Sequence, residues 1–218
     1  VVATAAKTDP EAGARGMSLI AVPTASAGFE RGRNLKKIGL KAQDTSELFY
    51  SGVRVPLANR LGEEGQGFSM LMTKLAQERL TQAIRSVAVA EAAIRWTFDY
   101  VRGREAFDGT IADFQNTQFT LAQLEAETTA QRVFVDWCIA RHLKGELTSV
   151  EAAKAKLVAS DLHCKVVDQC LQFFGGYGYM QEYPIARAYI DARIVKIAGG
   201  AMEVMKQIIW RDMAKRNA

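Results

Sequence analysis

Few groups in this sequence could do chemistry, and they fall in a handful of stretches. "RGREAF" presents Arg104, whose guanidinium suits a diphosphate by its charge and its forked donors. Eleven residues on, Gln115 brings an amide that can donate and accept to the start of a helical stretch. "QFFGG", Gln172 to Gly176, sets two glycines where backbone could approach a ligand and its N–H groups could bind phosphate. Each has a plainer reading: a solvated arginine, a polar residue at a helix start, a helix stop. Glu203 stands where the positive end of a last helix favours a carboxylate, with or without a ligand. Glu78, in "LAQERL", is by itself an ordinary residue of an exposed helix face. His142 and His163 have no carboxylate or cysteine at metal spacing, so surface or hydrogen-bonded core histidines are expected, and no metal. Cys138, Cys164 and Cys170 are an odd count without paired spacing in apolar stretches, which points to buried, reduced thiols.

The elements that must hold these groups change character near residue 60. The whole chain, 218 residues with 49% hydrophobic and 24% charged, is of ordinary globular composition and long enough for a sizeable core. A net charge of +4, without a run of five like charges, gives no sign of a nucleic-acid tail or membrane patch. No stretch reaches the roughly 18 apolar residues of a membrane span, and no secretory signal is visible. Residues 1–57 hold short apolar runs between turn residues, "VVATAA", "MSLIAVP" and "LFYSGVRVP", which read as strands. Three or four strands are not a whole sheet, and Val1 already lies in strand-like sequence, so a piece of a longer protein is expected. From "GEEGQGF" onward the spacing is helical, over 66–103, 111–143 and 149–174. Pro184 fits the first turn of a fourth helix, and Gly199–Gly200 separate it from a fifth that ends near Lys215. The expected fold is mainly α: a partial antiparallel β-domain over 1–60, then an antiparallel helical bundle over 61–218.

Four stretches together resemble the acyl-CoA dehydrogenase family: "GFERGRNLKKIGLKAQDTSELFYSGVRVP", "GEEGQGF", "RGREAF" followed by "FQNTQFTLA", and "LQFFGGYGYMQEYPIARAYIDARI". The resemblance runs from about residue 1 to 214 and implies the end of that family's middle β-domain plus its C-terminal helical domain. It implies a flavoenzyme that binds FAD, oxidises the α,β-bond of an acyl-CoA thioester and passes electrons to an electron-transferring flavoprotein. It also implies a homo-oligomer, dimer or tetramer, assembled through the bundle. Arg104, Phe107, Gln115, Gln172, Gly175, Gly176 and Glu203 match FAD-contacting positions, with the glycine pair on the adenine half of a FAD held by a neighbouring subunit. The chain departs from the pattern at Asp108, where the family usually has Gly, and at Ala201, where a hydroxyl would cap the last helix.

The reaction needs a carboxylate near the substrate α-carbon. The family often carries it in the turn before the last helix, where this chain has Gly199. Members similar to long-chain and isovaleryl-CoA dehydrogenases carry it on the first helix of the bundle instead, and Glu78 matches that position. The resemblance therefore assigns Glu78 as the base, with Arg79 and Gly200 lining the substrate site. Arg79 is expected to pair with nearby carboxylates or to shape that site. Two alternatives stay open: a catalytically silent subunit with an assembly role, and an oxidase-like enzyme that uses oxygen. Bacterial cytoplasm is the expected compartment, with a mitochondrial matrix as the alternative. Acyl chain length is not legible.

Overall fold

The computed structural model describes residues 1–217. The chain divides into two compact units, Val1–Lys74 and the residues from Leu75 onward, and the division falls within a helix.

In the first unit, β1 (Val2–Lys7) and β2 (Met17–Val22) pair antiparallel, from Val2↔Val22 to Lys7↔Met17. Residues of β1 alternate between half-buried and exposed, the period-two pattern of a sheet with one covered face. β3 (Phe29–Asn34) and β4 (Ser46–Tyr50) form a separate antiparallel ribbon. β3 reads FERGRN and has no apolar run, so composition alone does not mark it as a strand. The strand expected through "LFYSGVRVP" stops at Tyr50, because Gly52 turns the chain with φ 62°. The ribbon leaves Phe49 51% exposed. β5 (Arg60–Leu61) pairs with β2, and the N–H of Gly65 donates to the hydroxyl of buried Ser18 at 3.0 Å.

The second unit is a helical bundle. α1 (Gly67–Gly103) begins in the first unit and runs 37 residues without a proline to break it. After a hairpin of β6 (Glu105–Ala106) and β7 (Gly109–Thr110) comes α2 (Gln115–Leu143). The helix expected from residue 111 starts late because Thr110 and Asp113 cap a separate short turn there. α3 (Ser149–Phe173) opens on a reciprocal cap: the Thr148 hydroxyl accepts from the Glu151 N–H at 3.1 Å, and Glu151 accepts from the Thr148 N–H at 2.8 Å. α4 (Pro184–Ala192) starts on its proline, and α5 (Met202–Arg216) follows the Gly199–Gly200 turn.

The core lies in two apolar clusters. One gathers Leu80, Ala83 and Val87 of α1 with Val135 and Cys138 of α2 and Ala155 and Ala159 of α3. The other gathers Ala90 and Ile94, Leu124, Val166 and Cys170, and Ile185 of α4. α1 and α3 run from the first cluster to the second and α2 runs back, so consecutive helices are antiparallel. Each fully buried Val, Leu or Ile contributes roughly 1.5–3 kcal/mol. In sequence between the clusters stand Thr128, Gln131, Ser160 and His163, and Ser86 lies beside Val87 within the first; their buried side-chain polar atoms find no hydrogen-bond partner among the described residues. His163 thus corrects one expectation: it is a core histidine, but neither ring nitrogen is bonded. Burial pushes its pKa down to about 4, and the charge of Arg85 acts the same way. The cysteines are free; burial raises the Cys138 and Cys170 thiols to about 11, which keeps them protonated.

Candidate functional site

The candidate residues gather at two places on the bundle. At the first, Glu78 is exposed on α1 and Gln82 stands one turn further along the same face. Gly199 and Gly200 have φ of 68° and 102°, which a side-chain-bearing residue adopts only under strain. A Cβ on Gly199 would lie 3.3 Å from Gln82 Cγ, so this turn reaches α1 one helical turn from Glu78. A glutamate at 199 would be both strained and crowded there, whereas Glu78 sits in unstrained helix.

Two buried cations flank this place. Lys156 of α3 is fully buried and donates from Nζ to the Gly200 carbonyl at 2.7 Å, with Met202 Sδ at 3.8 Å. Burial and the charge of Arg79 lower its pKa, and Glu203 opposes them. Arg79 is 5% exposed, and its Nη1 donates to the Ser149 hydroxyl at 2.9 Å. The expectation that Arg79 pairs with carboxylates is therefore corrected: its partner is a hydroxyl, and its buried Nε has none. Glu203 is exposed in the first turn of α5, beside Lys156 rather than near Arg104. Sequence reasoning missed Lys156, although a signal for it exists: a lysine at the apolar spacing Ala152, Lys156, Ala159, His163.

The second place lies at the other end of α1. Arg104 follows that helix, and its guanidinium sits 6.0 Å from the centre of the Tyr177 ring, just beyond the glycine pair. Tyr100 stacks on Phe174 at 4.2 Å, so "QFFGG" and "RGREAF" meet through their aromatic neighbours. Phe107 and Asp108 form the two-residue loop between β6 and β7, with φ of 54° and 65°. Two successive left-handed residues are the geometry of a type I′ hairpin turn. Asp108 tolerates that conformation in place of the family's glycine; Phe107 does not, yet it stands 87% exposed. Its ring meets Phe114 edge-on at 6.0 Å. Gln115 opens α2, and Gln172 is exposed near the end of α3. A Cβ on Gly175 or Gly176 would meet nothing within 4 Å.

This second set fits the phosphates and base of a dinucleotide. It offers a guanidinium with no ion pair among the described residues, two exposed amides, an exposed ring and uncovered glycine backbone. Glu78 and Arg104 are 26 positions apart along α1, or about 39 Å at helical rise. An apolar groove of 770 Å³ between α1 and α2, lined by residues such as Ile94, Phe98 and Leu121, contains none of these candidates. Among the described residues no group of His, Cys, Asp and Glu could hold a metal ion, and no helix is long and apolar enough to cross a membrane.

A helical bundle with these two places defines a class, and comparison with known proteins identifies it. Residues 65–214 match the acyl-CoA dehydrogenase C-terminal domain. The chain is 47% identical over 215 residues to the long-chain specific acyl-CoA dehydrogenase of pig mitochondria, covering 98% of this chain and 50% of that protein. It is 37% identical to an acryloyl-CoA reductase (NADH) of Anaerotignum propionicum, covering 97% of this chain and 54% of that one. The crystal structure of an acyl-CoA dehydrogenase from Geobacillus kaustophilus superposes with a TM-score of 0.94 at 45% identity, over 97% of this chain and 56% of that one. The chain belongs to the acyl-CoA dehydrogenase family. It spans about half the length of the relatives it matches.

Proposed function

We propose that this chain is the bundle-bearing part of a FAD-dependent acyl-CoA dehydrogenase in which Glu78 is the base. The observation that carries this reading is the Gly199–Gly200 turn set against α1 one helical turn from Glu78. The Glu78 carboxylate takes the proton from the substrate α-carbon, whose C–H electron pair becomes the new carbon–carbon π bond as the β-carbon's C–H pair departs with the hydride. When bound, FAD supplies the two-electron acceptor for that hydride. In the free turn, the N–H groups of Gly199, Gly200 and Ala201 donate to no acceptor among the described residues. They are available to hold the thioester carbonyl.

Arg104, Phe107, Gln115, Gln172, Gly175 and Gly176 would hold the phosphates and adenine of FAD, and Glu203 and Gly200 stand at the end that bears the base. A separation of about 39 Å along α1 favours a FAD shared between two copies, one contributing Glu78 and the other Arg104. The working protein is then a homo-oligomer, dimer or tetramer, with an acyl-CoA substrate and an electron-transferring flavoprotein as acceptor. Free thiols fit a reducing compartment, bacterial cytoplasm or mitochondrial matrix. Asp108 holds the backbone that a glycine would, so this departure weakens the case for a silent subunit.

The test is Glu78→Gln in the flavin-loaded protein. Bleaching of the flavin absorbance by an acyl-CoA should slow by about 10²–10⁴-fold, while flavin content stays constant. A rate within tenfold of the parent would remove Glu78 from the role of base.

A further inference from the structure

We infer that Lys156 is a positioning residue that sets the Gly199–Gly200 turn against α1. The turn has little to hold it otherwise. Its two glycines have no side chains to pack, and none of the N–H groups of Gly199, Gly200 and Ala201 finds an acceptor among the described residues. The helix that follows begins at Met202, and the residue before it, Ala201, supplies no side-chain cap. One strong contact reaches the turn from another element: the Lys156 ammonium on the Gly200 carbonyl at 2.7 Å.

An ammonium fully buried in an apolar helix face is costly, and a methionine or leucine would fill the same space without desolvating a charge. Among the described residues the charge has one short acceptor, that carbonyl, and one weak one, Met202 Sδ. A charge-assisted bond to a carbonyl is shorter and stronger than a neutral one. It fixes the peptide between Gly200 and Ala201, and with it the direction of the neighbouring free N–H groups. Lys156 reaches the turn from α3 while Gln82 meets it from α1, so the turn is located between two helices that themselves pack through Leu80, Ala83 and Ala159. Arg79, whose charge faces Lys156, is tied to Ser149 at the start of α3 and closes the same link between α1 and α3.

The catalytic half of this inference rests on the function proposed above; the structural half does not. The experiment therefore reads both in the flavin-loaded protein, with Lys156→Met as the variant. Hydrogen exchange of the bonded amides that bracket the turn, Ala198 (to the Ile194 carbonyl) and Met205 (to the Ala201 carbonyl), should quicken at least tenfold, while exchange in the middle of α3 and the flavin content hold. The rate constant kcat for an acyl-CoA should fall at least tenfold with KM changed less than threefold, and Lys156→Arg should recover part of it. Unchanged exchange at Ala198 and Met205 would overturn the inference, as would faster exchange with kcat intact. If the parent protein itself oxidises no acyl-CoA, the functional reading fails, and the exchange arm still decides whether Lys156 anchors the turn. Should the methionine variant not fold, Lys156→Gln keeps a donor without the charge. It should hold exchange at Ala198 and Met205 within threefold of the parent, and a larger rise confined to those amides in a folded Gln variant would count against the bond to Gly200 as the anchor.

Discussion

The two ends of the bundle are built in opposite ways. Around Glu78 the supporting side chains are two buried cations and a half-buried amide, and they reach partners far apart in sequence: Lys156 to Gly200, Arg79 to Ser149, Gln82 against Gly199. Around Arg104 they are exposed and mostly local: a two-residue hairpin loop, the first residue of α2, a glycine pair after α3. The first end is fixed by contacts within the fold itself. The second is a set of donors and rings held on short turns, open to be covered. On the function proposed above, the two suit different tasks: a base must be aimed to within fractions of an ångström, whereas a dinucleotide's phosphates and adenine tolerate a looser, more solvated grip.

That contrast can be broken by experiment. The largest effect is the loss of catalysis in Glu78→Gln, where the rate falls and flavin binding does not. The next concerns stability in acid. His163 has its pKa depressed to about 4, while the unfolded chain takes up the proton near the ordinary 6.5. Its contribution is complete above pH 6.5 and is lost as pH falls toward 4, a loss of a few kcal/mol. Denaturant titrations at several pH values should show this slope, and His163→Leu should flatten it; equal slopes in parent and variant would mean that His163 is not the sensor.

Arg104→Ala should act the other way round, leaving thermal stability within a degree or two. It should weaken FAD binding by about tenfold, the loss of one charge-assisted bond of roughly 1.4 kcal/mol. Isothermal titration with FAD reads this, and unchanged affinity would detach Arg104 from the cofactor. Phe107→Gly should separate strain from binding. Relief of the left-handed backbone stabilises the fold by about 1 kcal/mol, while FAD affinity drops through loss of the ring. A destabilised variant would show that the ring's packing on Phe114 outweighs the strain. The smallest effect belongs to the buried end: Ala201→Thr supplies the missing cap of α5 and should add about 1 kcal/mol, visible as a raised melting temperature.

Local features are legible in the sequence. Pro184, the glycine pairs and the apolar spacing place α1, α3, α4 and α5 within a residue or two of the observed starts, because caps and breakers act over a single turn. Where such signals fail, a competing local contact wins: the Thr110–Asp113 cap delays α2, and the polar β3 has no apolar run to read. Motif order likewise points to the family, which the matched domain over 65–214 shows. Residue identity makes Gly199 unable to serve as a base, and the family resemblance points to Glu78 as the candidate.

What the sequence could not supply is which side chains are buried together. "QER" on a helix does not reveal that Arg79 turns inward to Ser149 while Glu78 stays in solvent. A lysine in "KAKLVAS" does not reveal that its ammonium meets a carbonyl 44 residues away. Nor does a single histidine show that both its nitrogens lie bare in the layer between two apolar clusters. Types, spacing and caps are set by chemistry within a turn or two of the chain, so the sequence by itself determined the helices, their order and the candidate groups. Pairing, burial and the separation of the two ends depend on how α1, α2 and α3 pack against one another, and only the tertiary structure decided them.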